Sequence, residues 1–274
     1  TDADGLDDGE EPAYGTDPAM TDADGDSVGD GTEINTYGTD PLDPDTDHDG
    51  VTDGDEIWAF DTDPLSADTD ADGLTDGDEA AADTDLRNPD TDGDTLLDGA
   101  EVHQWGTDPL AKDTDRDGLN DNVEVTGQTD PTKRDTDGDG LADGFEVNTF
   151  HSDPTVADTD GDTLSDKNEY VHRTDPNDRD SDDDGLTDGR EVLRTKTDPL
   201  KADTDGDGLS DQAEVVGKTS NPLVKDTDAD GLTDGQEVKK YRTDPKKRDT
   251  DADGLTDGQE VKKYRTNPLK RDTD

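Results

Sequence analysis

The chain has 274 residues, with 80 Asp or Glu against 25 Lys or Arg, a formal net charge of −55, and only 23% hydrophobic and 4% aromatic content. A globular domain is about half apolar, so an ordinary hydrophobic core is excluded, and nucleic acid and anionic membranes are poor partners for this charge. The absence of cysteine excludes disulfides and thiolate metal sites, and no run of about 18 apolar residues or signal peptide is present. What remains is a disordered acidic chain or a fold ordered by something other than an apolar core.

In chain order one phrase recurs: Asp-Thr-Asp-x-Asp-Gly-Leu-Thr-Asp-Gly-x-Glu-Val, a few variable residues, then Thr-Asp-Pro. Its first Asp falls at Asp22, Asp45, Asp68, Asp90, Asp113, Asp135, Asp158, Asp180, Asp203, Asp226, Asp249 and Asp272, always 22 or 23 residues apart. The one-residue variation lies between the Glu and Thr-Asp-Pro. No linker interrupts the series, so residues 1–274 are expected to be one array of about twelve repeats. The phrase is cut mid-loop at both ends, which predicts a segment of a longer array.

The segment Asp180–Glu191 carries carboxylates at positions 1, 3, 5, 9 and 12 and Gly185 at position 6. This fits the twelve-residue calcium loop: positions 1, 3 and 5 point at one centre, glycine permits the turn, position 7 offers a carbonyl, position 9 commonly acts through water, and Glu closes the sphere. Hard oxygen donors in this number suit calcium better than magnesium, zinc or copper.

All five positions are filled in the eleven units from Asp22 to Asp249, which makes the match strong. The candidate ligands begin with Asp2, Asp4, Asp8 and Glu11, then Asp22, Asp24, Asp26, Asp30 and Glu33. Next come Asp45, Asp47, Asp49, Asp53 and Glu56, then Asp68, Asp70, Asp72, Asp76 and Glu79, and Asp90, Asp92, Asp94, Asp98 and Glu101. The middle units supply Asp113, Asp115, Asp117, Asp121 and Glu124, Asp135, Asp137, Asp139, Asp143 and Glu146, and Asp158, Asp160, Asp162, Asp166 and Glu169. The later units give Asp180, Asp182, Asp184, Asp188 and Glu191, Asp203, Asp205, Asp207, Asp211 and Glu214, and Asp226, Asp228, Asp230, Asp234 and Glu237. Asp249, Asp251, Asp253, Asp257, Glu260, Asp272 and Asp274 complete the set, 61 of the 80 acidic residues. Ser27, Thr95 and Thr163 replace the position-6 glycine and predict loops that are more strained or differently turned.

These DTDGDGL and DTDADGL phrases with Thr-Asp-Pro spacers resemble thrombospondin type 3 repeats of the cysteine-free prokaryotic kind, and the loops resemble those of EF-hands and dockerins. The resemblance implies extracellular calcium-binding modules wound around their ions. Without disulfides, rigidity must rest on metal. The apolar residue stands at position 7 (Leu186, Leu209, Leu232) instead of the EF-hand's position 8, so neither the paired-loop β-bridge nor an incoming helix is expected.

After position 9, segments such as Asp234-Gly-Gln-Glu-Val-Lys-Lys-Tyr-Arg predict a helix of about two turns, ended before Pro245. Leu232, Val238 and Tyr241 must stack on neighbouring units. Trp58, Trp105, Phe60 and Phe150 are expected to be stacking residues. The spacer residues Asp17, Asp40, Asp63, Asp108, Asp130, Asp153, Asp175, Asp198 and Asp244 either make Asx turns or complete a further metal site. Asp85, followed by Leu86 in place of proline, predicts a less fixed corner.

The fold class expected is thus a calcium-stabilised linear repeat, a solenoid-like rod of irregular loops with one short helix per unit and no conventional hydrophobic core. The function expected is an extracellular or cell-surface rod, stalk or fibre, with a calcium-dependent adhesion or assembly module as the alternative and a passive calcium reservoir third. The array would take at least one calcium per unit, and two would nearly neutralise it, with the spacer Asp as the extra ligand. His48, His103, His151 and His172 do not recur in phase and assemble no catalytic set, so no enzyme is expected. Residues 1–111 hold 36 acidic residues and one basic residue, Arg87. Clusters such as Lys239, Lys240, Arg242 and Lys246, Lys247, Arg248 are solvated faces or contacts to acidic units of another copy, lateral or head-to-tail.

Overall fold

A computed structural model describes residues 2–271, so the candidate ligands Asp272 and Asp274 lie outside the described residues. The chain divides into two compact units, Thr1–Arg134 and Asp135–Asp274. Among the described residues there is no strand, and twelve short helices occur, about one per repeat. The first unit holds α1 (Glu11–Tyr14), α2 (Asp30–Thr32), α3 (Asp53–Asp55), α4 (Asp76–Ala82), α5 (Asp98–Ala100) and α6 (Asp121–Gly127). The second holds α7 (Asp143–Phe145), α8 (Asp166–His172), α9 (Asp188–Arg190), α10 (Asp211–Gly217), α11 (Asp234–Gln236) and α12 (Asp257–Gln259).

From α2 onward each helix starts on the position-9 Asp, and for a local reason. The hydroxyl before it accepts an N–H of the first turn: Thr52 from Asp55, Thr75 from Asp78, Thr187 from Arg190, Ser210 from Ala213, Thr233 from Gln236 and Thr256 from Gln259. Position 8 is therefore a helix N-cap, which explains its Thr and Ser. Seven three-residue helices continue directly into a five-residue π turn, as α3 does into Glu56–Phe60 and α11 into Glu237–Tyr241. These are the 23-residue units with a helix-borne extra residue, whereas α4, α6 and α8 belong to 22-residue units and stay α-helical. A π turn is an α turn with one residue added. In these seven units the length variation is thus absorbed inside the helix. In the repeat of α10, also 23 residues long, the helix stays α and the extra residue falls after its end.

Helices end in a left-handed residue, such as Gly38 (φ 82°), Asp61 (φ 59°) or Arg242 (φ 63°), before the Thr-Asp-Pro proline is reached. The buried apolar side chains are those of position 7, Val28, Val51, Leu74 and Leu119 in the first unit and Leu141, Leu164, Leu186, Leu209 and Leu232 in the second, together with Leu86. Aromatic side chains do pair between neighbouring repeats, Tyr37 with Trp58 at 6.4 Å and Phe150 with Tyr170 at 5.6 Å, yet Trp58 stays 64% exposed. They lie on the surface and do not build a core. The corner at Asp85 keeps the turn without proline: its carbonyl accepts from Asn88, its N–H donates to Thr91, and Leu86 is buried.

Candidate metal centre

The loop from Asp45 to Glu56 shows how the chain builds its site. His48 (φ 63°) and Gly50 (φ 105°) both take left-handed geometry, which curls positions 1, 3 and 5 inward. Asp45 accepts the N–H groups of Asp49 and Gly50, and Asp47 accepts that of Asp49. Ser27, Thr95 and Thr163 adopt φ of 86°, 88° and 87°, so three side chains with a Cβ occupy the glycine region at position 6.

Two kinds of carboxylate cluster result. In the first, positions 1, 3 and 5 bring oxygens within 4.8 Å of one another, as in Asp22–Asp24–Asp26, Asp45–Asp47–Asp49 and Asp68–Asp70–Asp72. Glu closes on the same loop in Asp2–Asp4–Glu11. The second kind crosses between repeats: Asp26 and Glu33 meet Asp53, the position-9 residue of the next repeat. Asp53, at position 9 of its own loop, thus also faces the loop before. Thr46 holds Asp53 there, with its N–H on Oδ1 at 2.9 Å and its hydroxyl on Oδ2 at 2.7 Å.

The donor chemistry fits a hard cation. The position-12 glutamates are fully buried, yet Oε2 of Glu33, Glu56, Glu79, Glu101, Glu146, Glu191 and Glu237 has no hydrogen-bond partner. The same holds for Oδ2 of Asp24, Asp47, Asp70 and Asp92. Buried charge left unpaired costs heavily, and carboxylates facing one another add repulsion. Burial first, and neighbouring Asp residues with it, push the carboxyls of Glu33, Glu56, Glu101, Glu191 and Glu237 up to about 8 and Glu169 to about 9. The position-3 carboxyls of Asp24, Asp47, Asp70 and Asp228 rise to about 6, again chiefly through burial. A divalent ion bound to these oxygens would remove both penalties.

Three supporting roles were not read from the sequence. The spacer hydroxyl holds the other Glu oxygen: Thr39 on Glu33, Thr107 on Glu101, Ser152 on Glu146 and Thr243 on Glu237, at 2.9–3.1 Å. The position-5 carboxylate ties repeats together, since Asp49 accepts Val51 N–H on Oδ1 and Gly77 N–H of the next repeat on Oδ2. The position-10 glycine permits that approach, because a Cβ on Gly54 would lie 1.9 Å from the Asp26 carbonyl oxygen and one on Gly77 2.1 Å from that of Asp49. Its recurrence in the phrase was the available signal. The spacer Asp makes an Asx turn: Asp40 Oδ1 accepts from Leu42 and Asp63 Oδ1 from Leu65, while Asp130, Asp198 and Asp244 pair with Lys133, Lys201 and Lys247.

No helix among the described residues is long and apolar enough to cross a membrane. The family profile described as bacterial TSP3 repeat matches twelve times, over residues 1–21, 22–44, 45–67, 68–85, 90–112, 113–133, 135–157, 158–179, 180–202, 203–224, 226–247 and 249–270. Among solved structures, a biofilm associated protein B domain is 45% identical over 17% of this chain and 11% of its own, with a TM-score of 0.17. A biofilm associated protein BSP domain is 44% identical over 15% of this chain and 7% of its own, with a TM-score of 0.15. The chain therefore spans only a small part of either neighbour. No curated protein matches it. The chain belongs to the bacterial TSP3 repeat family, as twelve consecutive repeats of this calcium-binding type.

Proposed function

We propose that the chain is a calcium-stabilised structural array of the cell surface, a stalk or spacer that stiffens when its loops fill, with no catalytic role. The observation that carries this reading is the buried glutamate oxygen without a partner, repeated at the same place in loop after loop. We assign two ions to each repeat: one held by positions 1, 3, 5 and 12, the second between position 5, position 12 and position 9 of the next repeat. The two kinds of cluster support this count, with the position-5 carboxylate shared. Twelve repeats with two ions each would add 48 positive charges to a chain of −55, leaving an ordinary surface.

Circular dichroism and hydrodynamic radius, with calcium and with excess chelator, test the reading. Chelation is expected to abolish the helical signal and expand the chain; identical values in both states would overturn it. Ion counting by mass spectrometry of the native state tests the stoichiometry. A second reading, calcium-dependent self-association, draws on the contrast between the acidic first repeats and the Lys/Arg-rich last ones. Unchanged sedimentation after neutralising Lys239, Lys240, Arg242, Lys246, Lys247 and Arg248 would remove it.

A further inference from the structure

The basic side chains are not spread evenly over the loops. Lys112, Arg179, Lys225 and Arg271 stand immediately before the next repeat's first Asp, and each reaches back to a carbonyl on the rim of its own loop: Gly93, Gly161, Gly206 and Asp251. Two further lysines reach across repeats, Lys239 to the Gly208 carbonyl and Lys262 to that of Gly231. The last three complete loops, beginning at Asp203, Asp226 and Asp249, are thus each capped by at least one cation. The loops at Asp22, Asp45 and Asp68 have Pro44, Ala67 and Pro89 at the corresponding position, and residues 1–86 contain no Lys or Arg. Arg87 pairs with Asp61, which lies beyond the helix and not in a loop.

The rim cations touch carbonyls of positions 3, 4 and 6 and leave the carboxylate oxygens open, so they do not replace a ligand. Their field nevertheless reaches the site, because each cation sits on a backbone carbonyl of the loop that carries the ligands. A positive charge several ångströms from a divalent ion at a wet rim weakens binding about three- to tenfold.

We propose that these rim cations grade calcium affinity along the array, so that the first three complete repeats fill at lower calcium than the last three. The inference rests on the calcium reading above. The structure-forming step would then begin among the early repeats and pass towards the later ones as calcium rises.

The test is a calcium isotherm of the full chain, by competition with an indicator chelator at low salt and pH 8. In the variant Lys112→Gln, Arg179→Gln, Lys225→Gln, Lys239→Gln, Lys262→Gln, Arg271→Gln, the ion count is expected to stay the same and the weakest sites to tighten three- to tenfold. A control neutralises six lysines bonded elsewhere: Lys133, Lys201 and Lys247 on spacer Asp residues, Lys196 on the Val192 carbonyl, and Lys240 and Lys263 over the Tyr241 and Tyr264 rings. An equal shift in the control, or none in the rim variant, overturns the proposal. The converse variant Ala67→Lys, Ala157→Lys, Ala202→Lys adds cations at the same position and is expected to weaken those loops. Damage to folding would weaken both variants, so only opposite shifts sustain the inference. A wild-type chain that binds no calcium would overturn the underlying reading as well, and is distinguishable because its isotherm is flat.

Discussion

Glu237 sits out of reach of solvent, with one oxygen on the Thr243 hydroxyl at 3.0 Å and the other on no protein group. Replacing Thr243→Val keeps the shape and removes the donor that aims the carboxylate. Partners of this kind typically contribute about 10- to 100-fold in metal affinity, so one site should weaken by roughly tenfold in a calcium titration. Gly54 makes a second residue-scale prediction that runs against propensity. Alanine is favoured over glycine in a helix by about 1 kcal/mol, yet a Cβ here would sit 1.9 Å from the Asp26 carbonyl oxygen. Gly54→Ala is expected to destabilise by about 1–3 kcal/mol, seen as faster amide exchange across residues 22–60. Gly127→Ala, with open space around its Cβ, should be neutral or stabilising. The ligand positions were legible because the alternation at 1, 3 and 5 and the closing Glu are local demands of one coordination sphere. The partnership of Asp26 with Asp53 was not, because spacing within a repeat says nothing about what the next repeat brings 27 residues later.

At the scale of the loop and its helix, the carboxyl shifts give a pH dependence whose sign is opposite to that of a salt-bridged acid. Glu33, Glu56 and Glu237 at position 12 rise from 4.5 to about 8, so in the absence of metal the folded form holds these protons more tightly than the unfolded chain. Stability from these groups is fully present below about pH 4.5 and is lost as pH rises through about 8; for Asp47 and Asp70 at position 3 the window runs from 3.8 to about 6. The chelated chain is therefore expected to regain helical circular dichroism on acidification from pH 8 to pH 4. Calcium uptake between pH 6 and 8 should release protons, measurable as a buffer-dependent heat in calorimetry. The one-helix-per-repeat pattern was legible from Val238 and Tyr241 three apart. The π turn was not: a one-residue difference in repeat length fixes how much chain must be absorbed, not which backbone hydrogen bonds absorb it.

For the whole chain the dominant quantity is charge. At −55 the metal-free state repels itself, and repulsion between exposed charges is screened beyond about 8 Å at physiological ionic strength. The chelated chain should contract as monovalent salt is raised from about 10 mM to 1 M, whereas the calcium-loaded chain should change little; small-angle scattering in both states checks this. The composition pointed to disorder, and only the register of the carboxylates turned that reading towards metal. Finally, the seven π turns bear on how such a chain can change over generations. Arrays of near-identical repeats are prone to misaligned recombination, which adds or deletes stretches of sequence. A junction off by one residue within a loop would destroy a coordination sphere, but between Glu and the spacer Thr it exchanges an α turn for a π turn or, as after α10, lengthens the segment past the helix. The helix and the few residues after it are where the repeat tolerates a copying error in length, and this leaves the ligand-bearing loops free to multiply intact.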